Sequence, residues 1–217
     1  MVTAQHPHAI ATASFAIIRQ GLTERGFTLA PPLASVVERI IHTTADFEFA
    51  ELVQISPGAI EAGVRALQAG CAVLTDVHMV RVGISVARLE TLGGALHCLI
   101  DDPIVASRAT AHGSTRGIES MRLAAERGLL DGSIVTIGNA PTALDELVCL
   151  VAAGARPALI VGVPVGFVGA AESKAALTRV TDVPWLVIRG HKGGSTIAAA
   201  TINALLRLAV GASNDEV

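Results

Sequence analysis

Arg39 and His42 are the residues whose types and spacing suggest proton-transfer chemistry. Both fall in residues 33–44, where apolar residues recur with helical spacing and predict a helix. Side chains three positions apart lie on the same flank of a helix. A neighbouring cation disfavours protonation of an imidazole, so His42 would stay largely neutral until an anionic ligand arrives. We therefore predict His42 as an acid–base group, the alternative being a helix-flank histidine with no chemical role.

The stretch from Ser133 to Ser173 predicts where a ligand binds. It holds two short apolar runs, SIVTIG and ALIVG, each followed by a polar or Gly/Pro-rich turn and a helix start. This alternation predicts βαβ units that feed a parallel sheet. Ligands bind at the carboxyl ends of the strands in such sheets. The two turns, which contain Asn139 and Gly166, are therefore predicted to line the site.

Basic residues near helix starts indicate the charge of that ligand. Arg116, Lys174 and Lys192 each lie at or just before a predicted helix. Cations there oppose the helix dipole, whereas the free N–H groups of a helix start attract anions. Together they predict a partner with several negative groups, the alternative being solvated surface side chains. Asp76, directly at the end of the run CAVLTD, is the acidic residue that we keep as a candidate site residue.

Two nucleotide-binding fingerprints are missing from these turns. The run from Gly166 to Gly169 has no preceding G-x-G, and Lys192 is not spaced from a glycine as in a phosphate-binding loop. A nucleotide-dependent enzyme therefore lacks the loop that it would need. The turns predict an anionic ligand without specifying a nucleotide.

Composition excludes other classes of partner. Net charge is −3, and the chain has one Trp and no Tyr, so we expect neither nucleic acid nor an anionic membrane as a partner. The longest apolar run is too short to span a membrane, and no signal peptide is expected. Cys71, Cys98 and Cys149 show no metal-ligand spacing. We expect no metal and a reducing cytoplasm.

The order of elements predicts the fold class. Apolar runs near residues 72–75, 96–100, 134–138, 158–162 and 185–189 are predicted strands, separated by helical segments. We predict an α/β protein, a single three-layer α/β/α domain over residues 1–217 with a mostly parallel, roughly five-stranded sheet. Residues 1–13 and 211–217 are expected to be irregular.

Several blocks of the sequence together resemble the precorrin-8X methylmutase family of cobalamin biosynthesis. The similarity runs from Ser14 to about Leu208. The matching blocks are SFAIIR at 14–19, ERIIH at 38–42, HGSTR at 112–116, IGNAPTAL at 137–144, GVPVGFVGAAESK at 162–174 and RGHKGGS at 189–195.

The resemblance implies an isomerase that needs no cofactor. It moves a methyl group between neighbouring carbons on the rim of precorrin-8X, or of cobalt-precorrin-8, and gives hydrogenobyrinate or cobyrinate. His42 falls on the family's proton donor and acceptor, and Ser14 and Arg39 fall on its substrate-binding positions. The carboxylates of this corrinoid substrate agree with the cations noted above. The resemblance also implies a homodimer with sites near the subunit interface.

The chain departs from the family pattern before Ser14. It reads Ala11-Thr12-Ala13 where many members carry Tyr and Arg, and His191 stands where members often have Arg. The alternative function is therefore a corrinoid-binding or carrier protein of the same fold that has lost catalysis.

Overall fold

A six-stranded sheet forms the centre of the structure, a computed structural model that describes residues 7–214. The strands are β1 (Val53–Ile55), β2 (Val73–Thr75), β3 (Leu96–Cys98), β4 (Ile134–Ile137), β5 (Leu159–Gly162) and β6 (Trp185–Ile188). The helices are α1 (Pro7–Glu24), α2 (Pro31–Thr44), α3 (Phe49–Leu52), α4 (Ala59–Gln68), α5 (His78–Gly83), α6 (Val86–Thr91), α7 (Pro103–His112), α8 (Arg116–Glu126), α9 (Pro141–Ala152), α10 (Ala170–Leu177) and α11 (Ser195–Ala209).

The strands lie in the order β1-β6-β5-β4-β2-β3. All neighbouring pairs are parallel except β1 and β6, which are antiparallel. The carboxyl ends of the five parallel strands therefore meet at one edge of the sheet. The loops after β2, β4, β5 and β6 all start from that edge.

Successive residues of the strands alternate between two hydrophobic cores, as the period of a strand requires. Ile134 belongs to one core and Val135 to the other. The first core also contains apolar residues of α1, α2, α4, α5, α6 and α11. The second contains those of α8, α9 and α10. Helices thus cover both faces of the sheet, which confirms the predicted single α/β domain with three layers.

Helix α11 connects the sheet to the N-terminal helices. It packs against α2, α4 and α5, and α1 packs on α2. Phe15, Ile18 and Leu22 recur at helical spacing on α1 and are buried against this layer. The described helices include none that is long and apolar enough to cross a membrane.

The five predicted strands are confirmed, and the structure adds β1. This sixth strand has three residues, Val53-Gln54-Ile55, none of them fully buried. So short a strand at the edge of a sheet leaves no periodic pattern to detect.

The expected irregularity of residues 1–13 is wrong for residues 7–13, which are part of α1. Pro7 fits the first turn of a helix, and Ala9, Ala11 and Ala13 are strong helix formers. Residues 211–214 lie outside helix and strand, in agreement with the prediction. Residues 1–6 and 215–217 lie outside the described part of the chain.

Candidate functional site

His42 lies in the last turn of α2, against the side chain of Phe15. The two rings are stacked, with centroids 4.7 Å apart and planes inclined by 22°. Phe15 is fully buried within α1, whereas His42 remains exposed on one side. The contact therefore fixes the plane of the imidazole and leaves it open to a ligand.

The environment of His42 favours its neutral form. Partial burial lowers its pKa below 6.5, and the positive charge of Arg39 lowers it further. A neutral imidazole has one nitrogen that donates and one that accepts a hydrogen bond. The neutral side chain therefore offers a ligand one hydrogen-bond donor and one acceptor.

The guanidinium of Arg39 contacts the ring of Phe15 and donates hydrogen bonds to Asn214. Its carbon Cζ lies 4.7 Å from the centroid of the Phe15 ring, so the same ring contacts both Arg39 and His42. Nε and Nη2 donate to Oδ1 of Asn214 at 3.3 and 3.2 Å. Nη2 also donates to the carbonyl of Asn214 at 3.3 Å. Phe15 and Asn214 therefore position the side chain from two separate parts of the chain.

A cleft of about 580 Å³ opens beside Arg39. This volume falls in the range of pockets that bind small molecules. The residues that line the cleft come from α2, from α5, α6 and the turn between them, and from α11. They are Arg39, Thr43, Val82, Gly83, Ile84, Ser85, Arg88, Thr196, Ala199, Ala200, Asn203 and Arg207. His42 precedes the lining residue Thr43 on α2 and is not itself part of the lining.

Ser14 lies next to Phe15 on α1 and is partly exposed. Ile10 and Ile17 share its flank, since positions i, i+4 and i+7 fall on one face of a helix. Both isoleucines are exposed, Ile17 to 67%. Ser14 is therefore a polar residue within an exposed apolar stripe beside the His42 stack.

Asp76 lies under the loop that follows β4, and its side chain is fully buried. Its two carboxylate oxygens accept hydrogen bonds from the backbone N–H groups of Gly138, Asn139 and Ala140, at 2.7–3.0 Å. Burial raises the pKa of this carboxyl, and the N–H groups act in the opposite direction. The residue fixes the loop whose Asn139 side chain is exposed at the sheet edge.

The loops after β5 and β6 are bonded to each other. Gly166 donates its N–H to the carbonyl of His191, and Nδ1 of His191 lies 3.0 Å from the carbonyl of Gly166. Gly193 approaches so closely that a Cβ there would lie 2.3 Å from the carbonyl oxygen of Val163. Only glycine fits this position, where φ is +153°. Gly166 is thereby held at the same edge as Asn139.

The two lysines that were predicted to meet an anion are already engaged. Lys174 is 1% exposed, and its Nζ donates to the carbonyls of Pro164 and Lys192 at 3.0 and 2.7 Å. The prediction is therefore wrong for Lys174, whose pKa burial lowers to about 8. Lys192 is accessible but forms ion pairs with Asp46 and Glu48 at 2.6 and 2.7 Å.

Arg116 begins α8 at the same edge of the sheet, as predicted, and its side chain is 57% exposed. It lies 3.8 Å from Asp101, which contacts His78 at 2.8 Å. Thr115 caps the helix and its hydroxyl lies 3.0 Å from that of Thr142, so the starts of α8 and α9 are adjacent. Arg116 is therefore an exposed cation at the start of α8, next to the start of α9.

Sequence reasoning missed Phe15, Asn214 and the cleft arginines Arg88 and Arg207. Phe15 was present in the block SFAIIR, but nothing in a buried aromatic indicates which side chain stacks on it. Asn214 reaches Arg39 across 175 positions of the chain. Arg88 carried no signal, because its place in the cleft depends on the packing of α6 near α11.

The fold and the site define an α/β protein with an exposed histidine stacked on a buried aromatic ring, beside a cleft lined by arginines. The sequence profile of the precorrin-8X methylmutase family matches residues 9–208. The chain belongs to this family, and the resemblance found in its sequence motifs is confirmed.

Relatives of this family cover nearly the whole chain. A cobalt-precorrin-8 methylmutase of Leptospira interrogans is 45% identical over 92% of each chain. A precorrin-8X methylmutase of Pseudomonas aeruginosa is 43% identical over 91% of this chain and 93% of its own. The crystal structure of a precorrin-8X methylmutase from Thermus thermophilus, 46% identical, matches with a TM-score of 0.87 over 94% of this chain and 96% of its own.

Proposed function

We propose that this protein isomerises precorrin-8X, or its cobalt form, by moving a methyl group between neighbouring carbons on the rim of the corrin ring. The observation that carries the proposal is the position of His42 in this chain, which belongs to the precorrin-8X methylmutase family. Its imidazole is stacked on Phe15, biased to the neutral form, and placed on the flank of the helix that presents Arg39 to the cleft.

His42 supplies the proton chemistry in this proposal. A substrate carboxylate at Arg39 offsets the positive charge that lowers the pKa of His42, so the imidazole takes up a proton from water when the substrate binds. Transfer of that proton from the imidazolium to the macrocycle makes the conjugated ring system electron-poor. The methyl group then leaves one carbon with its bonding electrons and bonds to the next. Return of the proton to His42 completes an isomerisation in which no atom is gained or lost. Burial and the charge of Arg39 lower the pKa of His42, so its protonated form gives up the proton readily, which suits the first transfer.

Arg39 and Ser14 contact the substrate from two sides of the His42 stack. Arg39 lines the cleft, and the positive charge of its guanidinium attracts a substrate carboxylate there. Arg116, Asn139, Gly166 and Lys192 meet the substrate at the sheet edge, where Lys192 exchanges its partners Asp46 and Glu48 for a substrate carboxylate.

Asp76 has a different part in this proposal. Both of its oxygens are occupied by the loop after β4. It therefore acts through that loop by holding Asn139 in place, rather than by contacting the substrate.

A homodimer in the cytoplasm is the proposed state of the protein. Exposed apolar side chains flank the candidate site on two elements, Ile10 and Ile17 on α1 and Met79 and Val82 on α5. Such patches beside a site favour burial by a second copy. The three cysteines are free, which agrees with a reducing compartment.

The test is incubation of the purified protein with precorrin-8X, followed by absorption spectroscopy and identification of the product. Conversion to hydrogenobyrinate is expected. The absorption spectrum reports it, because the methyl shift changes the conjugation of the macrocycle. Tight binding without conversion would instead support the non-catalytic carrier. The same assay with cobalt-precorrin-8 shows which form is preferred.

A further inference from the structure

The cleft beside Arg39 carries three positive charges and no negative one among the residues that line it. Arg39 comes from α2, Arg88 from α6 and Arg207 from α11, so the three guanidiniums approach from three different helices. No Asp or Glu belongs to the lining. Its polar residues are neutral hydroxyl and amide groups, and the rest are apolar or glycine.

Arg88 is the residue of this set whose charge has no partner within residues 7–214. No hydrogen bond, ion pair or ring contact is formed by its side chain there, although the residue is half-buried. A partly desolvated guanidinium without an acceptor carries a cost in free energy. An anionic ligand that enters the cleft would remove that cost.

The backbone that carries Arg88 is fixed to α11. Asn203 accepts a hydrogen bond from the N–H of Ser85 at 2.8 Å and donates one to the carbonyl of Gly83 at 2.7 Å. Gly83 lies so close to α11 that a Cβ there would be 2.7 Å from the Cβ of Ala199. The turn before α6 is thus locked, and Arg88 projects from a rigid support.

The C-terminal turn holds the other two arginines at the wall of the cleft. Asn214 accepts from Arg39, and the carbonyl of Ser213 accepts from Nη1 of Arg207 at 3.1 Å. Asn214 is itself anchored, since its amide donates to the carbonyl of Ser35 at 2.8 Å. Arg39 and Arg207 are therefore oriented before any ligand arrives.

We propose that Arg88, together with Arg39 and Arg207, binds carboxylate side chains of the corrinoid in this cleft, and that Arg88 is a specificity-determining residue of the enzyme. The inference rests on the proposed function, which supplies a ligand with several carboxylates. Arginine recognises a carboxylate through two parallel N–H···O bonds, a geometry that lysine cannot reproduce. The cleft thereby selects corrinoids whose peripheral acids are still free.

The experiment measures the Kd of hydrogenobyrinate and of its a,c-diamide for the wild-type protein and for Arg88→Gln and Arg88→Lys. Loss of one charge-assisted interaction predicts affinity for hydrogenobyrinate about 10- to 100-fold weaker in Arg88→Gln, with partial recovery in Arg88→Lys. Arg81→Gln is the matched control. It removes the same charge seven positions away, from an exposed residue outside the cleft, and should stay within about twofold of wild type.

Salt dependence of wild-type binding provides a measurement that needs no variant. Affinity for hydrogenobyrinate should fall as salt rises, and more steeply than affinity for the diamide, which carries two fewer negative charges. Equal affinity of wild type and Arg88→Gln, alongside normal turnover of precorrin-8X, would overturn the inference and leave the proposed function intact. A change in oligomeric state without a change in Kd would also overturn it, because the cleft would then belong to a subunit contact. A wild-type protein that neither binds nor converts a corrinoid would overturn the proposed function itself.

Discussion

The ring of Phe15 lies 4.7 Å from the imidazole of His42, and the guanidinium of Arg39 lies at the same distance from that ring. The buried Phe15 of α1 thus contacts both the proposed acid–base group, His42, and the proposed carboxylate-binding residue, Arg39. These two residues lie three positions apart on α2. The arrangement links charge and protonation, because any ligand that neutralises Arg39 also removes one of the two causes that lower the pKa of His42.

The first prediction concerns the titration of His42. By NMR its pKa should lie below 6.5, and Arg39→Gln should raise it without restoring the full value, because burial is the larger cause. The native state then binds fewer protons than the unfolded state near that pH. The contribution of His42 to stability is therefore complete above 6.5 and is lost as pH falls through the native pKa. Arg179→Gln, near the helices of the other core, should leave the titration unchanged; a fall of the pKa in Arg39→Gln would refute the coupling.

The second prediction concerns catalysis. His42→Ala should lower the turnover of precorrin-8X by at least about 100-fold, the usual contribution of a general acid–base group. Binding of hydrogenobyrinate should stay within a few-fold of wild type, since Arg39 and the cleft remain. His97→Ala, on the edge strand β3, serves as the control for loss of a histidine and should retain activity. Retained turnover in His42→Ala would remove the residue from the mechanism.

Local patterns in the sequence predicted the parts of this site that neighbouring residues determine. Helical spacing placed Arg39 and His42 on one flank, and five apolar runs predicted five of the six strands. The contact between Arg39 and Asn214 spans 175 positions and leaves no local pattern. Lys174 was interpreted as an exposed cation because it follows a helix start. Its burial depends on two carbonyls in separate loops, whose approach only the folded sheet creates.

The third prediction concerns the loop after β4. Asp76→Asn replaces a carboxylate oxygen with an NH2 group that faces backbone donors, so at least one N–H loses its acceptor. A cost of about 1–3 kcal/mol is expected, which lowers Tm by about 2–12 °C in a chain of this size. Amide hydrogen exchange should increase at Gly138, Asn139 and Ala140, the three donors to Asp76.

Asp182→Asn is the control for that variant. Asp182 is exposed and its only described ion pair within residues 7–214 is to Arg156 at 3.5 Å, so its replacement should change Tm little. Unchanged exchange of the three loop amides in Asp76→Asn would show that the carboxylate does not hold the loop.

The last prediction concerns Lys174, whose ammonium joins the loops after β5 and β6. Burial lowers its pKa from 10.5 to about 8, so between these values the unfolded chain holds a proton that the native state has released. The free energy of unfolding of the wild type relative to Lys174→Met should therefore increase with pH across this range, by up to about 1.4 kcal/mol per pH unit. Urea denaturation at pH 7.5, 8.5 and 9.5 measures this difference.

Lys192→Met distinguishes burial from mere loss of a lysine. The hydrogen bonds of Lys192 with Asp46 and Glu48 raise its pKa, so it stays protonated in the native and the unfolded chain across the same range. The difference between wild type and Lys192→Met should accordingly not change with pH. The same flat result for Lys174→Met would mean that its ammonium keeps its proton between the two carbonyls. The loops after β5 and β6 would then be joined by a full buried charge.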